Sequence, residues 1–244
     1  MRRFLLTIIA VTIAGSAFAA EKTGFIDKVY KNKDGHDSPY VVFVPASYDG
    51  SKPMPTILFL HGSGETKGGS KMPVEVGLPP VVKKKEKEFP FIVVIPQSEK
   101  RTWLAKSEDG ERALAILAEV EKAYKCDPKR TYLTGLSMGG MGTLSLATAN
   151  PAKWAAIVPV CGRMIPPAET EKAGEMLKGI PAWFFHGDKD TAVKVDGSRE
   201  MVAAIKKAGG QPKYTEYPNV PHNCWDKAYG TDELYEWLLK QEKK

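Results

Sequence analysis

The chain has 244 residues, a formal net charge of +6, 43% apolar residues and 26% charged ones. That length suits one large α/β domain and is short for two, and the apolar content is that of a globular protein. The positive balance is spread along the chain with no basic stripe interleaved with aromatics, which argues against a nucleic-acid partner.

Residues 1–20 read as a secretory signal peptide. Arg2 and Arg3 form a charged start, residues 4–13 an apolar stretch, and Ala17-Phe18-Ala19 a small-residue cleavage site. The apolar stretch is too short to span a bilayer comfortably and no later segment is long and apolar enough, so stable membrane insertion is not expected. The expected product is a catalytic domain of residues 21–244, secreted or periplasmic. Three cysteines are present, Cys126, Cys161 and Cys224. An oxidising compartment permits a disulfide, for which Cys161 and Cys224 are the expected pair; the alternative is three small buried thiols.

Residues 24–30 and 39–44 read as two strands joined by the polar turn Asn32-Lys33-Asp34-Gly35, an antiparallel hairpin at a sheet edge. Residues 56–60 form an uninterrupted apolar run, as do 91–95, which is the habit of strands buried on both faces of a parallel sheet. The first leaves through His61-Gly62-Ser63-Gly64-Glu65, a bend that can turn backbone N–H groups toward one point. Residues 67–85 carry a weak helical pattern interrupted by Pro79-Pro80, and the charge run 83–88 reads as a solvated face. In the loop after the second run, Trp103 either lines a substrate pocket or packs against neighbouring loops.

Residues 111–124 repeat apolar side chains at helical spacing, with Asp109-Gly110 before them and Asp127-Pro128 after. A β-prone run at 130–134 then meets Gly135-Leu136-Ser137-Met138-Gly139-Gly140, followed by a Gly-, Ala- and Leu-rich run at 141–150 that can pack closely as a helix. Strand, Gly-flanked turn and helix is the context that makes G-x-S-x-G a nucleophile elbow. Further strands are expected at 154–160, 182–185 and 213–217, with helical segments at 167–178, 198–208 and 232–240. Alternating strands and helices give a mostly parallel α/β sheet of about eight strands with helices on both faces.

A serine hydroxyl needs a base, and the base needs an orienting group. Of four histidines, His36 lies in an early turn, while His61 and His186 sit at strand exits before a glycine and read as turn residues. His222 remains, on a loop between the last strand and the last helix. For the acid, Asp188 is placed to organise its loop and Asp190 has the reach to face a histidine, so Asp190 is favoured. Ser137, Asp190, His222 is the chain order of the α/β hydrolases. With His61 and His186 in turns, no cluster at metal-ligand spacing remains, so neither metal nor organic cofactor is expected.

The motifs Leu60-His61-Gly62-Ser63-Gly64-Glu65, Gly135 to Gly140, His186-Gly187-Asp188-Lys189-Asp190 and His222-Asn223-Cys224-Trp225 resemble those of α/β-hydrolase-fold serine esterases. The resemblance is to the exported single-domain branch of polyhydroxybutyrate-depolymerase-like esterases, feruloyl esterases and carboxylesterase/phospholipase proteins. It implies Ser137 as nucleophile, His222 as general base then acid, Asp190 as orienting acid, and the N–H groups of Met138 and Ser63 as oxyanion hole. Where many of these relatives carry Arg after the Glu of the first motif, this chain has Thr66, and no large lid insertion follows the elbow. The implied substrates are small or polymer-linked esters, including polysaccharide-linked and aromatic acyl ones, with Trp103 and Trp225 near the site and Arg163, just past a strand end, as a candidate for a substrate carboxylate. Competing readings are a prolyl-oligopeptidase-like peptidase, which lacks its gating domain here, and a catalytically silent binding protein.

Overall fold

The computed structural model describes residues 23–68 and 72–243, so the signal peptide expected at 1–20 lies outside the described residues. The expected edge hairpin is β1 (Gly24–Lys31) paired antiparallel with β2 (Asp37–Val44). After it come β3 (Met54–Leu60), α1 (Leu78–Lys84), β4 (Ile92–Pro96), α2 (Glu108–Ala123), β5 (Cys126–Leu136) and α3 (Met138–Ala149). The chain continues through β6 (Ala156–Val160), α4 (Thr170–Leu177), β7 (Trp183–Gly187), α5 (Asp196–Lys207), β8 (Lys213–Tyr217), α6 (Trp225–Gly230) and α7 (Asp232–Leu239).

The strands form one sheet in the order β1-β2-β4-β3-β5-β6-β7-β8, antiparallel from β1 through β4 and parallel from there on. The apolar runs explain the layering. Successive side chains of a strand point to opposite faces, so β3 sends Leu58 and Leu60 into one core and Ile57 and Phe59 into the other. The first core is closed by α2, α3, α4 and α5 through residues such as Leu117, Leu144, Leu177 and Met201. The second is closed by α1, α6 and α7 through Leu78, Val82, Tyr229, Leu234 and Leu238.

Three elements differ from the sequence reading. The prolines at 79 and 80 do not interrupt a helix; they sit in the first turn of α1, where a missing N–H costs no helical hydrogen bond. Helix α2 starts three residues earlier than the apolar periodicity indicates, because the Ser107 hydroxyl caps it by accepting from Gly110 N–H at 3.1 Å. Glycine is required at position 110, inside the helix, because a Cβ there would run into the Leu104 carbonyl. The third is α6, a short helix directly after His222. The expected Cys161–Cys224 disulfide is absent: all three cysteines are free thiols, with Cys161 and Cys224 buried and hydrogen-bonded side by side. Burial pushes the Cys161 thiol well above its ordinary range, which holds it as the unreactive neutral form.

Candidate active site

The loops at the carboxyl ends of β3, β5, β7 and β8 meet above the middle of the sheet. The turn from β5 to α3 is the sharpest of them. Ser137 has φ +54°, a conformation L-residues avoid, and is held there because its N–H donates to the Val160 carbonyl at 2.9 Å while its own carbonyl accepts from Met141 at 3.0 Å. The flanking glycines are required by close approach. A Cβ on Gly139 would collide with the Leu60 carbonyl at the end of β3, and one on Gly140 with the Val160 carbonyl at the end of β6.

That geometry leaves Ser137 Oγ 2.9 Å from His222 Nε2, and His222 Nδ1 2.6 Å from Asp190 Oδ2. The His222 side chain is 26% exposed and that of Asp190 is fully buried. The carboxylate is pinned from its other oxygen, Oδ1, which accepts from the N–H groups of Ala192 at 2.9 Å and Val193 at 2.8 Å. Asp188 does different work: its carboxylate accepts from Asn219 N–H at 2.7 Å, while Lys189 N–H donates to the Val220 carbonyl at 3.0 Å. These two bonds clip the loop carrying His222 to the loop carrying Asp190. Trp225, half-buried in the first turn of α6, sets its ring edge-on to His222 with centroids 5.3 Å apart.

The Met138 N–H opens α3 and the Ser63 N–H opens a single 3-10 turn, Ser63–Glu65, after β3. Among the described residues neither donates to another protein group, so both are free to meet a ligand oxygen. The bend before Ser63 is organised by His61. Its ring is buried, with Nε2 accepting from Ser98 N–H at 3.0 Å, so the proton is on Nδ1, which donates to the Gly62 carbonyl at 2.6 Å. This places the Gly62–Ser63 peptide. Burial lowers the His61 pKa to about 4.

A histidine held neutral in the fold is protonated first in the unfolded chain. Stability is therefore full above the unfolded value of 6.5 and lost as pH falls from there toward about 4. The contribution at stake is about 3 kcal/mol. His61→Asn keeps a donor for the Gly62 carbonyl and removes the titration, so urea midpoints measured at pH 7 and pH 5 should differ less in the variant than in the wild type. Equal differences would remove this role from His61.

Trp103 is corrected by the structure. It is 1% exposed, donates its indole N–H to the His61 carbonyl at 3.0 Å and packs across Gly142 of α3, so it supports the bend from below and presents no face to a substrate. Arg163 is half-buried, lies over Gly197 at the start of α5, and forms no ion pair among the described residues. Thr66 is buried, with its hydroxyl unpartnered among the described residues. Two of the histidines read as turn residues are in fact buried hydrogen-bonding centres: His61 and His186, the latter with Nε2 3.1 Å from Asp190 Oδ2. The one signal for them in the sequence is a histidine ending an apolar run immediately before glycine. Among the described residues one group of metal-ligand types converges, Cys161, Asp190 and His222. Its Asp190 and His222 are already hydrogen-bonded to each other, and His222 to Ser137.

The profile of the phospholipase/carboxylesterase family matches residues 105–231, which include the elbow, Asp190 and His222. "Putative esterase NocK" of Nocardia uniformis subsp. tsuyamanensis is 33% identical over 129 residues, covering 51% of this chain and 36% of NocK. "Probable feruloyl esterase C" of Aspergillus terreus is 26% identical over 219 residues, covering 86% of this chain and 77% of that protein. A crystal structure described as a thermostable esterase superposes with a TM-score of 0.74 at 28% identity, over 89% of this chain and 63% of the other. The chain thus spans about a third of NocK and under two thirds of the solved esterase. The sheet order, the serine on its sharp turn and the matched profile lead to one assignment: the chain has the α/β-hydrolase fold and belongs to the phospholipase/carboxylesterase family.

Proposed function

We propose that the protein is a serine carboxylic-ester hydrolase that works through an acyl-enzyme. The observation that carries this reading is the unbroken line from Ser137 Oγ through the His222 ring to the buried Asp190 carboxylate, at 2.9 and 2.6 Å. His222 takes the proton of Ser137 as its oxygen attacks the ester carbonyl, and the oxyanion that forms is met by the N–H groups of Met138 and Ser63. His222 then returns the proton to the leaving alcohol, and water repeats the sequence on the acyl-enzyme. Asp190 fixes the ring with its proton on Nδ1 and offsets the charge of the imidazolium.

Small or polysaccharide-linked esters, aromatic acyl esters among them, are the substrates this reading favours. Support comes from feruloyl esterase relatives that align over most of their own length. Export rests on the signal peptide read at residues 1–20. Among the described residues no helix is long and apolar enough to cross a membrane. Purified protein should release nitrophenol from short acyl esters and take up one serine-directed phosphonate per chain, on Ser137. Ser137→Ala should lose both. Labelling that persists in Ser137→Ala, or turnover of an alanyl or prolyl peptide anilide with no ester cleavage, would overturn the reading.

A further inference from the structure

We infer that His186 is a second histidine of the site, a positioning residue that holds Asp190 for His222. This rests on the proposed roles of Ser137, His222 and Asp190. The observation is that one carboxylate oxygen serves both rings. Asp190 Oδ2 lies 2.6 Å from His222 Nδ1 and 3.1 Å from His186 Nε2, and both His186 and Asp190 have fully buried side chains.

The protonation state of His186 follows from its partners. Nε2 faces two acceptors, Asp190 Oδ2 and the Val193 carbonyl at 2.9 Å, so Nε2 carries the proton. On the other side, Nδ1 is 2.8 Å from the hydroxyl of Ser198, whose oxygen lies 3.1 Å from the Gly162 carbonyl; the single hydroxyl proton serves one of these two acceptors. With the ring neutral, that hydroxyl donates to Nδ1. Burial lowers the pKa of His186, which favours the same neutral form. A chain of groups therefore runs Ser198, His186, Asp190, His222, Ser137. It ties the acid to α5.

Two consequences distinguish this arrangement from packing. First, with Oδ1 taken by two backbone N–H groups and Oδ2 by two imidazoles, the carboxylate is held against rotation from both of its oxygens. Second, the His186 N–H takes part of the negative charge of Oδ2 that would otherwise act on the proton of His222. The other titratable groups facing this cluster are the Cys161 and Cys224 thiols at the end of β6 and before α6, and Glu216 on β8, which is paired with Arg199 of α5. Burial holds the Cys161 thiol neutral and Glu216 is engaged by Arg199, so the shared oxygen is the direct link between the two rings.

The test compares His186→Leu with His186→Gln, whose side-chain amide keeps a donor near the position of Nε2. Sites are counted by the end point of phosphonate labelling at Ser137, so that unfolded protein does not enter the rates. Per labelled site, His186→Leu should lose about tenfold in kcat with KM within about twofold, and the acid limb of its pH–rate profile should move to higher pH by about half a unit. His186→Gln should recover most of both. A His186→Leu protein with the wild-type profile and per-site kcat would overturn the inference, as would a Gln variant as impaired as Leu. Absence of labelling on Ser137 in the wild type would instead overturn the esterase reading itself.

Discussion

Asp190→Asn is expected to lower turnover by about 10⁴, while Asp188→Asn, two residues away, should stay within a few-fold of wild type. The size of the first effect follows from the way the carboxylate is held. Oδ1 accepts from Ala192 and Val193 N–H groups, so an asparagine must put its carbonyl oxygen there and its NH₂ at the position of Oδ2. The amide then donates to His222 Nδ1, which forces the ring proton onto Nε2, the atom that must be bare to take the proton of Ser137. The same NH₂ meets the His186 N–H donor to donor. At position 188 the asparagine keeps an acceptor for Asn219 N–H and the loop clip survives. Steady-state hydrolysis of a nitrophenyl ester by the two variants decides the matter, and equal losses would reassign the acid.

The second large effect is on folding. Gly139→Ala should destabilise the protein by about 4 kcal/mol or more, the upper end for overpacking, and much of the variant should be recovered unfolded. A methyl on Gly139 would press into the Leu60 carbonyl and lie 2.8 Å from that of His61, and neither can give way because both are backbone at the end of a strand buried from Pro55 onward. Gly64, two positions beyond Gly62, has nothing within 4 Å of the place a Cβ would occupy, so Gly64→Ala should change stability by no more than about 0.5 kcal/mol. Urea midpoints of the pair test the contrast. Equal midpoints would mean that α3 can lift from β3 at little cost.

The fold and the line of Ser137, Asp190 and His222 lie in features that sequence expresses directly. Apolar runs without interruption mark β3 and β4, glycines at fixed positions mark the elbow, and a chain with few histidines leaves little choice of base. What the sequence leaves open depends on side-chain hydrogen bonds, which leave no mark on an apolar pattern whether the partners are near or far in the chain. Trp103 reads equally as a pocket wall or a prop until its indole is seen on the His61 carbonyl. His186 looks like a turn residue because the pattern of the sequence does not show that Asp190, Val193 and Ser198, all within twelve residues of it, close around its ring. The start of α2 escapes the apolar periodicity because a cap is a side-chain hydrogen bond and adds no apolar residue to the pattern.

The clip between the β7 and β8 loops also determines how the site can adapt. Asp188 and Lys189 fasten the His222 loop to the loop that carries Asp190, and the elbow is fastened to β3 through Gly139 and to β6 through Val160. Asp190 and His222 are thus clipped to each other, while Ser137 is held by a separate set of contacts on the same sheet. The Ser137–His222 hydrogen bond bridges the two sets, so a substitution that loosens either set is read first at that bond.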